Sequence, residues 1–504
     1  MLSFRQLCAG IALCFSILIL QVQMVTAADG TETLLVLTGQ LTGADHETYK
    51  EVPFQVPEGV KRLTVSVEYE RENRTVVDLG IFDPDRFRGW SGGNKSSFSI
   101  AESDATPSYL PGPLPAGEWN LILGIPNIRS DSIASYRVEV KLEFGVSAGT
   151  RAFAPLPLKA EAGWYRGELH AHTGHSDGNC ELQSGRSGPC PVFRTIEAAV
   201  ERGLDFVAVT EHNTLSHQQS LHELQIAYDQ TVLMSGREIT TFYGHANIFG
   251  TTEFIDFRVS NGQINPVLVE ASQKGAFISI NHPGLPSGEV CMGCGWIAET
   301  DYSLIDAVEI VNGSVIDSGA GLLKSPLSGI PFWEQLLNAG HRVTAVAGTD
   351  NHNADLRSDS ERLTAIGAVT TVIFADSLAQ NDLLDGLRNG RAFIDLEGST
   401  DRLLELHAVA GSSRAMMGES LITPAGSTIS LTVSSRFTPE ATIELYRNGE
   451  LVSTELDYVR DGELLETTMT FQAAGEPEWV RVEVVSATGK VLLISNPVYI
   501  NFQH

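Results

Sequence analysis

The stretch "GELHAHTGHSDG", residues 167–178, concentrates side chains that can bind a metal ion. His170 and His172 are separated by one residue, and in an extended segment alternate side chains point to the same face. Asp177 adds a carboxylate in the same motif. Such a set can coordinate a divalent cation, but a polar, histidine-rich loop has the same composition. The positions of the other histidines in the chain therefore decide between a metal site and a polar loop.

Most of these histidines, and several carboxylates, follow predicted strands in the middle of the chain. Of the 13 histidines, ten lie between residues 170 and 352. The candidate metal ligands are His170, His172, Asp177, His212, Glu238, His245, His282, Asp350 and His352. In α/β barrels the carboxyl ends of the strands form one rim, where sites are built. Any one of these histidines could have a purely structural role, but that role does not explain why so many of them follow strand ends. Imidazoles and carboxylates suit Zn²⁺, Mn²⁺ or Fe, and this number of ligands accommodates two or three ions.

The middle segment, residues 164–400, has the pattern of the domain that would carry this rim. Apolar runs such as "FVAVT" and "AFISINHP" alternate with helical runs such as "SHQQSLHELQIAYDQ" and "PFWEQLLNAG". This alternation predicts a parallel α/β domain, either barrel-like or doubly wound. Residues 29–150 and 401–504 show only short alternating β-runs between turns, which predicts a β-sandwich on each side, the second of immunoglobulin-like kind. The predicted fold class is therefore a multidomain chain, α/β plus all-β.

The first 27 residues have the pattern of a secretory signal peptide. Arg5 precedes an apolar run at about 11–20, and small residues lead up to a cleavage site before Ala28. The run is short for a membrane span of about 20 residues, although an uncleaved anchor is the alternative. We therefore expect a secreted or periplasmic protein without a membrane span. The formal net charge of −28 argues against nucleic-acid binding, because such a surface repels phosphates.

The cysteine count agrees with export. Outside the signal peptide there are four cysteines, an even number that suits an oxidising compartment: Cys180, Cys190, Cys291 and Cys294. Three pairings are possible, and we favour the two short ones, each of which would close a Gly-rich loop next to the metal motifs. A zinc site of four cysteines and four free thiols are the alternatives.

The middle segment resembles the PHP (polymerase and histidinol phosphatase) superfamily. Its motifs match "HAHTGHSDG", "TEHNT", "GREIT", "GHANIFG", "NHPG" and "GTDNH", in this order. The signal peptide and the stretches "DLGIFDPDRFRGWSGG" and "ATPSYLPGPLPAGEW" resemble the secreted branch named for carbaryl hydrolase, the CehA/McbA-type metallohydrolases. The resemblance implies a distorted (β/α)7 barrel at residues 164–400 between the two sandwiches.

The resemblance also implies roles for the candidate ligands. It assigns His170, His172, Glu238 and Asp350 to a first metal position. It assigns Glu238, His245 and His282 to a second position, with Glu238 as the bridge. It assigns Asp177, His212 and His352 to a third. Where many relatives have Asp before the histidine of the second motif, this chain has Glu211, which we expect to orient an imidazole.

Further polar residues accompany these motifs. Glu309 and Asn312 end a predicted strand at the rim, where they could contact ligands or substrate, and Arg237 and Arg357 could neutralise an anionic substrate. Three other histidines are not expected to bind metal. His175 should be exposed, and His217 and His222 lie on a predicted helix, where a solvated face is favoured and a substrate contact of His217 is the alternative.

No motif marks a Ser or Cys nucleophile, so attack by metal-bound hydroxide is the simplest mechanism. The sequence predicts a metal-dependent hydrolase of a small ester, with a phosphomonoester or phosphodiester favoured as substrate. A carboxyl or carbamate ester hydrolase is the alternative, and a non-catalytic, metal-containing binding protein is a second one. Oligomeric state is not predicted.

Overall fold

The computed structural model describes residues 21–26, 31–93, 95–145, 157–288, 291, 293–317, 322–356, 364–436, 441–455, 459–461 and 464–502. The chain divides into two compact units, one of residues 1–100 and 108–144 and one of residues 101–107 and 145–504. Most of the predicted signal peptide, and the residues on either side of Ala28, lie outside the described residues. Within the described parts of the chain, no helix has the length and apolar character needed to cross a membrane.

The described residues of the first unit form strands and two short 3-10 turns, at Gly43–Asp45 and Glu72–Arg74. Its strands are β1 (Gln21–Thr26), β2 (Glu32–Thr42), β3 (Thr48–Val56), β4 (Val60–Tyr69), β5 (Val76–Phe82), β6 (Phe87–Gly92), β7 (Ser97–Ala101), β8 (Gly117–Asn127) and β9 (Ile133–Phe144). They form two sheets, with strand orders β1-β2-β9-β4-β7 and β3-β8-β5-β6. Residues alternate between buried and exposed along β3 and β9, as expected for strands with one face against a core. Strand β1 falls within the predicted signal peptide.

The second unit begins with the strands that carry the candidate ligands. They are β10 (Gly163–Glu168), β13 (Phe206–Val209), β14 (Val232–Thr241), β15 (Gly244–Phe249), β16 (Phe277–Ile280), β17 (Ala307–Asn312) and β18 (Thr344–Gly348). The short β11 (Asn179–Glu181) and β12 (Ser187–Pro189) form a separate hairpin. The helices are α1 (Val192–Glu201), α2 (Gln218–Gln225), α3 (Asn265–Gln273), α4 (Gly313–Asp317), α5 (Ile330–Asn338) and α6 (Gln380–Arg388).

These seven strands are neighbours in the order β10-β13-β14-β15-β16-β17-β18. Beyond the end of β18 the chain pairs in parallel with the segment beyond β10, through a bridge between Ala171 and Asn351. The ends of the first and last strands are therefore joined at the side where the ligand motifs lie. Almost all residues in the seven strands are buried, as expected for strands covered on both faces.

The predicted alternation of parallel strands and helices does not hold throughout residues 164–400, because several pairs of neighbouring strands there are antiparallel. Strands β14 and β15 form an antiparallel hairpin, and β15 also pairs antiparallel with β16. The link between β14 and β15 has only two residues. Gly244, directly after it, has a φ of 146°, a backbone conformation that residues with a side chain rarely adopt. A Cβ on Gly244 would also collide with the ring of Trp296. The hairpin places "GREIT" and "GHANIFG" side by side.

The carboxyl-terminal residues continue the same sheet. Strands β19 (Thr370–Ala375) and β20 (Ala392–Asp395) extend it from β10, and β20 pairs antiparallel with β30. The remaining strands are β21 (Leu403–Ala410), β22 (Ser413–Met416), β23 (Ser420–Leu421), β24 (Thr428–Arg436), β25 (Ala441–Arg447), β26 (Glu450–Glu455), β27 (Val459–Asp461), β28 (Leu464–Gln472), β29 (Glu478–Ser486), β30 (Val491–Ser495) and β31 (Val498–Ile500). The predicted domain boundary at residue 400 lies inside this unit.

Candidate metal centre

Glu238 on β14 is the meeting point of the candidate ligands. Its Oε1 lies 3.2 Å from Nδ1 of His245 and 3.6 Å from Nε2 of both His170 and His282. Its Oε2 lies 3.6 Å from Nε2 of His172. The carboxylate is fully buried, so these imidazoles converge on a negative charge away from water.

Asp350, just after β18, adds a second carboxylate to the same cluster. Its Oδ1 lies 3.3 Å from Nε2 of His170 and 3.2 Å from Nε2 of His172. The two histidines follow β10, and the backbone N–H of His172 donates to the carbonyl of Asn351 over 2.8 Å. The bridge between the two strand ends therefore sets the distance between Asp350 and the His-x-His pair.

A second, outer group lies next to this cluster. Oδ1 of Asp177 is 3.6 Å from Nε2 of His212 and 3.4 Å from Nε2 of His352. His212 also reaches the inner cluster, because its Nδ1 is 2.8 Å from Oε2 of Glu238. The structure thus brings all nine predicted ligands together, in overlapping groups whose potential ligand atoms lie within 4.8 Å of one another in each group.

The inner cluster fits a cation better than it fits a metal-free core. Nε2 of His170 and both ring nitrogens of His172 are buried and make no hydrogen bond of acceptable geometry, although Oδ1 of Asp350 lies 3.3 and 3.2 Å from the two Nε2 atoms. Buried polar atoms without a partner cost free energy and are rare in folded proteins. Ring nitrogens and carboxylate oxygens are also ligands that Zn²⁺, Mn²⁺ and Fe accept.

Other polar side chains hold the ligands in place. Oε1 of Glu309 lies 3.0 Å from Nδ1 of His170, and Oε2 accepts the backbone N–H of His282 over 3.0 Å. Asn312 donates to Oε2 of Glu309 over 3.1 Å. Asn281 donates to Oε1 of Glu238 over 2.9 Å. A carboxylate on the far nitrogen of a metal-binding imidazole fixes its orientation and raises its basicity. Glu309 therefore contacts two of the candidate ligands, and Asn312 contacts Glu309.

Local backbone geometry also serves this cluster. His282 and Asp350 have φ values of 29° and 54°, in a region that residues other than glycine seldom occupy. At the end of β18, Gly348 leaves room for its neighbours, because a Cβ there would lie 2.8 Å from Oε1 of Glu309 and would overlap the Cβ of His170. Only glycine allows this approach.

The charges in the site shift the pKa values of its groups. Burial lowers the pKa of His172 to about 4, so this ring is neutral at pH 7. Burial also lowers the pKa of His352, but its hydrogen bond to Asp177 and the charge of Asp350 outweigh this effect and raise it to about 9. Burial raises the pKa of Asp177, yet the hydrogen bond from His352 and the nearby imidazoles bring it down to about 2. The outer pair is thus ionised without metal.

Two of the predicted accessory residues have other contacts than expected. Glu211 accepts hydrogen bonds from the backbone N–H of Thr173, over 2.9 Å, and from the hydroxyls of Thr173 and Ser176, so it holds the loop of the first motif and not an imidazole. Arg237 is buried, with its guanidinium 5.6 Å from the ring centre of Phe254. Side chains alternate along β14, so it points away from Glu238, and a substrate contact is not supported. Arg357 lies outside the described residues.

The prediction of solvated positions for His217 and His222 was wrong. His217 is fully buried just before α2, and its Nε2 lies 3.0 Å from the carbonyl oxygen of Gly236. His222 on α2 has its Nε2 3.1 Å from Oδ1 of Asp104, which is also buried. The helical pattern gave no sign of Asp104, which is far away in sequence. His175 is half-buried, and its Nδ1 lies 2.7 Å from the hydroxyl of Ser216.

Both favoured cysteine pairs are disulfides in the structure. The Cα atoms of Cys180 and Cys190 are 4.9 Å apart, and those of Cys291 and Cys294 are 5.7 Å apart. Both separations lie in the usual range for a disulfide. The first pair joins the strands of the β11–β12 hairpin region, directly after the first motif.

Glu168, which sequence reasoning missed, ties the site together. Its buried carboxylate accepts the backbone N–H groups of His170 and Thr349 over 2.9 Å, and the Thr349 hydroxyl over 2.7 Å. It therefore connects the two segments that supply His170 and Asp350. A signal was present, since Glu168 stands two residues before the His-x-His pair at the end of an apolar strand.

Comparisons with known proteins add little to this geometry. No family model and no curated protein sequence matches the chain. A crystal structure of a two-domain protein from Bacteroides vulgatus, containing a predicted PHP-like metal-dependent phosphoesterase, is similar at 17% identity and a TM-score of 0.37, over 67% of this chain and 96% of that one. An arabinose-bound α-L-arabinofuranosidase is similar at 9% identity and a TM-score of 0.13, over 96% of this chain and 90% of that one. Likenesses of this quality establish no common fold.

Proposed function

We propose that this chain is a metal-dependent hydrolase of ester bonds, with phosphoesters as the favoured substrates and Zn, Mn or Fe as the metal. The observation that carries the proposal is the convergence of buried imidazoles on Glu238, with ring nitrogens that have no hydrogen-bond partner. The order of the motifs supports membership of the PHP superfamily and of its secreted branch. A polar, histidine-rich loop without a metal ion would not require these side chains to be buried together.

Two or three divalent cations at these positions would supply Lewis-acid activation of water and of the phosphoryl or carbonyl group. Glu238 and Asp350 keep negative charge at the centre, and Glu309 holds the His170 ring with its Nε2 toward them. The outer residues Asp177 and His352 are partly open to solvent, so a small substrate can approach from that side. The buried inner side would fix the geometry, and the outer side would admit the ester.

Phosphoesters are favoured because an in-line displacement needs charge stabilisation at both the attacking and the leaving oxygen, which two or more divalent cations held by these residues would supply. The negative surface of the protein does not oppose this choice, since bound cations reverse the local field.

One observation favours a carboxyl or carbamate aryl ester as the second candidate. Phe242, in the turn of the β14–β15 hairpin, is 77% exposed, and Ile297 is 69% exposed. The backbone N–H of Ile297 donates to the carbonyl of Tyr243 over 2.9 Å, so the two side chains belong to neighbouring segments near His245. Exposed apolar groups beside a site can bind an aromatic leaving group.

We also propose export, with a mature chain that begins at or near Ala28. The amino-terminal pattern and the two disulfides support it. Mass spectrometry of the protein produced in a secreting host tests this directly. Retention of Met1 on a membrane-bound product would reverse the proposal.

The activity is tested with protein that is stripped by a chelator and then reloaded with Zn²⁺, Mn²⁺ or Fe²⁺. The assay panel contains p-nitrophenyl phosphate, bis(p-nitrophenyl) phosphate, p-nitrophenyl acetate and an aryl carbamate. We expect metal-dependent hydrolysis, fastest with a phosphoester. Faster carbamate or acetate hydrolysis would select the second candidate. No metal-dependent hydrolysis of any of the four would contradict the enzymatic proposal.

A further inference from the structure

A sulfur atom lies among the ligands of the second metal position. The Sγ atom of Cys294 and ring nitrogens of His245 and His282 are all within 4.8 Å of one another. All three residues are buried, with exposures of 1%, 5% and 3%. Two imidazoles and a thiolate are a ligand set that zinc accepts, and soft thiolates favour zinc or cobalt over manganese. The family resemblance assigns no sulfur to this position.

The loop that carries Cys294 is seated firmly against the site. Nδ1 of His282 lies 3.3 Å from the carbonyl oxygen of Cys294, which leaves Nε2 toward Glu238. Gly293 packs directly against the carbonyl of Thr241 at the end of β14. The backbone N–H of Gly295 donates to Ser287 over 3.1 Å. The sulfur is therefore held near the two imidazoles by contacts that do not depend on the disulfide.

The bond to Cys291 decides whether this sulfur can bind a cation. In the disulfide, Sγ of Cys294 has no thiolate charge and is a poor ligand. A free Cys294 would present a thiolate to the position that His245 and His282 share. Cys291 is only half-buried, so a reductant can reach the sulfur that has to be attacked.

We infer that Cys294 is a redox-controlled metal ligand: opening the Cys291–Cys294 disulfide adds a thiolate to the cation position held by His245 and His282. The inference rests on the proposed metal centre. The reductant is a dithiol, which attacks Cys291, breaks the S–S bond and leaves as its own disulfide. Its two electrons and two protons give two thiols. Cys291 keeps its proton, and Cys294 releases its proton to solvent when the cation binds.

The consequence is a change in metal preference and not only in loop order. With the disulfide closed, the second position offers nitrogen and oxygen ligands, which manganese accepts as well as zinc. With Cys294 reduced, a soft ligand joins and the site selects zinc or cobalt. The extra negative charge also reduces the Lewis acidity of the cation. Reduction should therefore strengthen zinc binding while lowering the rate of hydrolysis.

The test uses the full chain loaded with Co²⁺, because thiolate coordination gives cobalt an intense near-ultraviolet charge-transfer band that nitrogen and oxygen ligands do not give. Cys291→Ser removes the partner and leaves Cys294 as a thiol without any reductant. Cys294→Ser removes the ligand. Cys180→Ser with Cys190→Ser is the matched control, because it opens the other disulfide only.

We expect the band in the reduced native chain and in Cys291→Ser, and its absence in the oxidised chain and in Cys294→Ser. The control should behave like the native chain. Full cobalt binding by reduced Cys291→Ser without the band would overturn the inference and leave the proposed function intact. Failure of every chain to bind cobalt would overturn both.

A second measurement does not depend on the folding of the variants. In the reduced native chain, excess Zn²⁺ should slow alkylation of Cys294 at least tenfold and leave Cys291 reactive, as read by peptide mapping. Equal alkylation of the two cysteines with and without Zn²⁺ would contradict ligation by Cys294.

Discussion

The inner and outer parts of the candidate metal centre differ sharply in their exposure. The side chains of the inner residues are between 0% and 15% exposed: His170, His172, Glu238, His245, His282 and Asp350. In the outer group the side chains of His212, His352 and Asp177 are 25%, 37% and 55% exposed. The inner residues are also held by Glu309, Asn281 and the joined strand ends, whereas His352 contacts Asp177 and the backbone carbonyl of Asp350. The inner cations should therefore be retained, and the outer one should exchange.

The largest effect is expected for Glu238→Gln. The substitution keeps the shape but removes the charge on which at least four imidazoles converge, so two metal positions weaken together. Changes in residues that only orient metal ligands already cost roughly 10- to 100-fold, and a bridging ligand should cost at least that much activity. Steady-state kinetics and elemental analysis measure it. Glu223→Gln, an exposed position on α2, is the control.

If the Glu238→Gln enzyme keeps nearly native activity and metal content, the bridging role is misassigned, and the contrast between inner and outer parts loses its basis.

Gly348→Ala should come next. The new Cβ would overlap the Cβ of His170 and crowd Glu309, so the inner cluster has to spread. Overpacking of this kind typically costs about 1–3 kcal/mol of stability. Metal content should fall together with the thermal midpoint of unfolding. Gly163→Ala on β10 is the matched control, because its Cβ would meet only the Tyr165 ring at 3.9 Å. Equal behaviour of the two variants would show that the close approach at residue 348 is unimportant.

His352→Ala should separate the two parts of the centre. It removes an outer side chain and keeps all six inner ones, although the His352 ring stacks on that of His172 at 4.2 Å. The native protein should release metal to a chelator in a fast and a slow phase, and the variant should lack the fast phase. If the slow phase is lost as well, the inner and outer positions are not independent. Stopped-flow detection with a coloured chelator resolves the phases.

The smallest expected effect is the pH dependence of metal affinity at the outer position. His352 has a pKa of about 9 in the metal-free protein, so at pH 7 its ring carries a proton that metal binding has to displace. His172, with a pKa of about 4, has none to release. Affinity at the outer position should therefore rise as the pH increases from 7 to about 9 and level off above it.

Asp177→Asn removes the carboxylate that raises this pKa and should move the rise to lower pH. Calorimetric titrations in buffers of different ionisation enthalpy count the protons released. An affinity that does not change between pH 7 and 9 would contradict the protonated outer histidine.

The sequence predicted the parts of the site that strand ends determine. His170, Glu238, His282 and Asp350 follow or end apolar runs, and strand ends on one rim have to meet. It did not predict the partners of His217 and His222, because Gly236 and Asp104 come from other segments and contact them only after folding. The β14–β15 hairpin was missed for a related reason. Both strands are buried, and the sequence pattern does not show that the two-residue link between them makes them antiparallel. Periodicity reports the face that is buried, but not the residue that covers it.

The most direct test of the account is the number of metal ions per chain. Elemental analysis of the purified protein after metal-replete preparation and gel filtration should give two to three ions per chain, and His352→Ala should give one fewer. Fewer than one ion per chain in the native protein would contradict the convergence of these ligands on cations, and with it the proposed hydrolase.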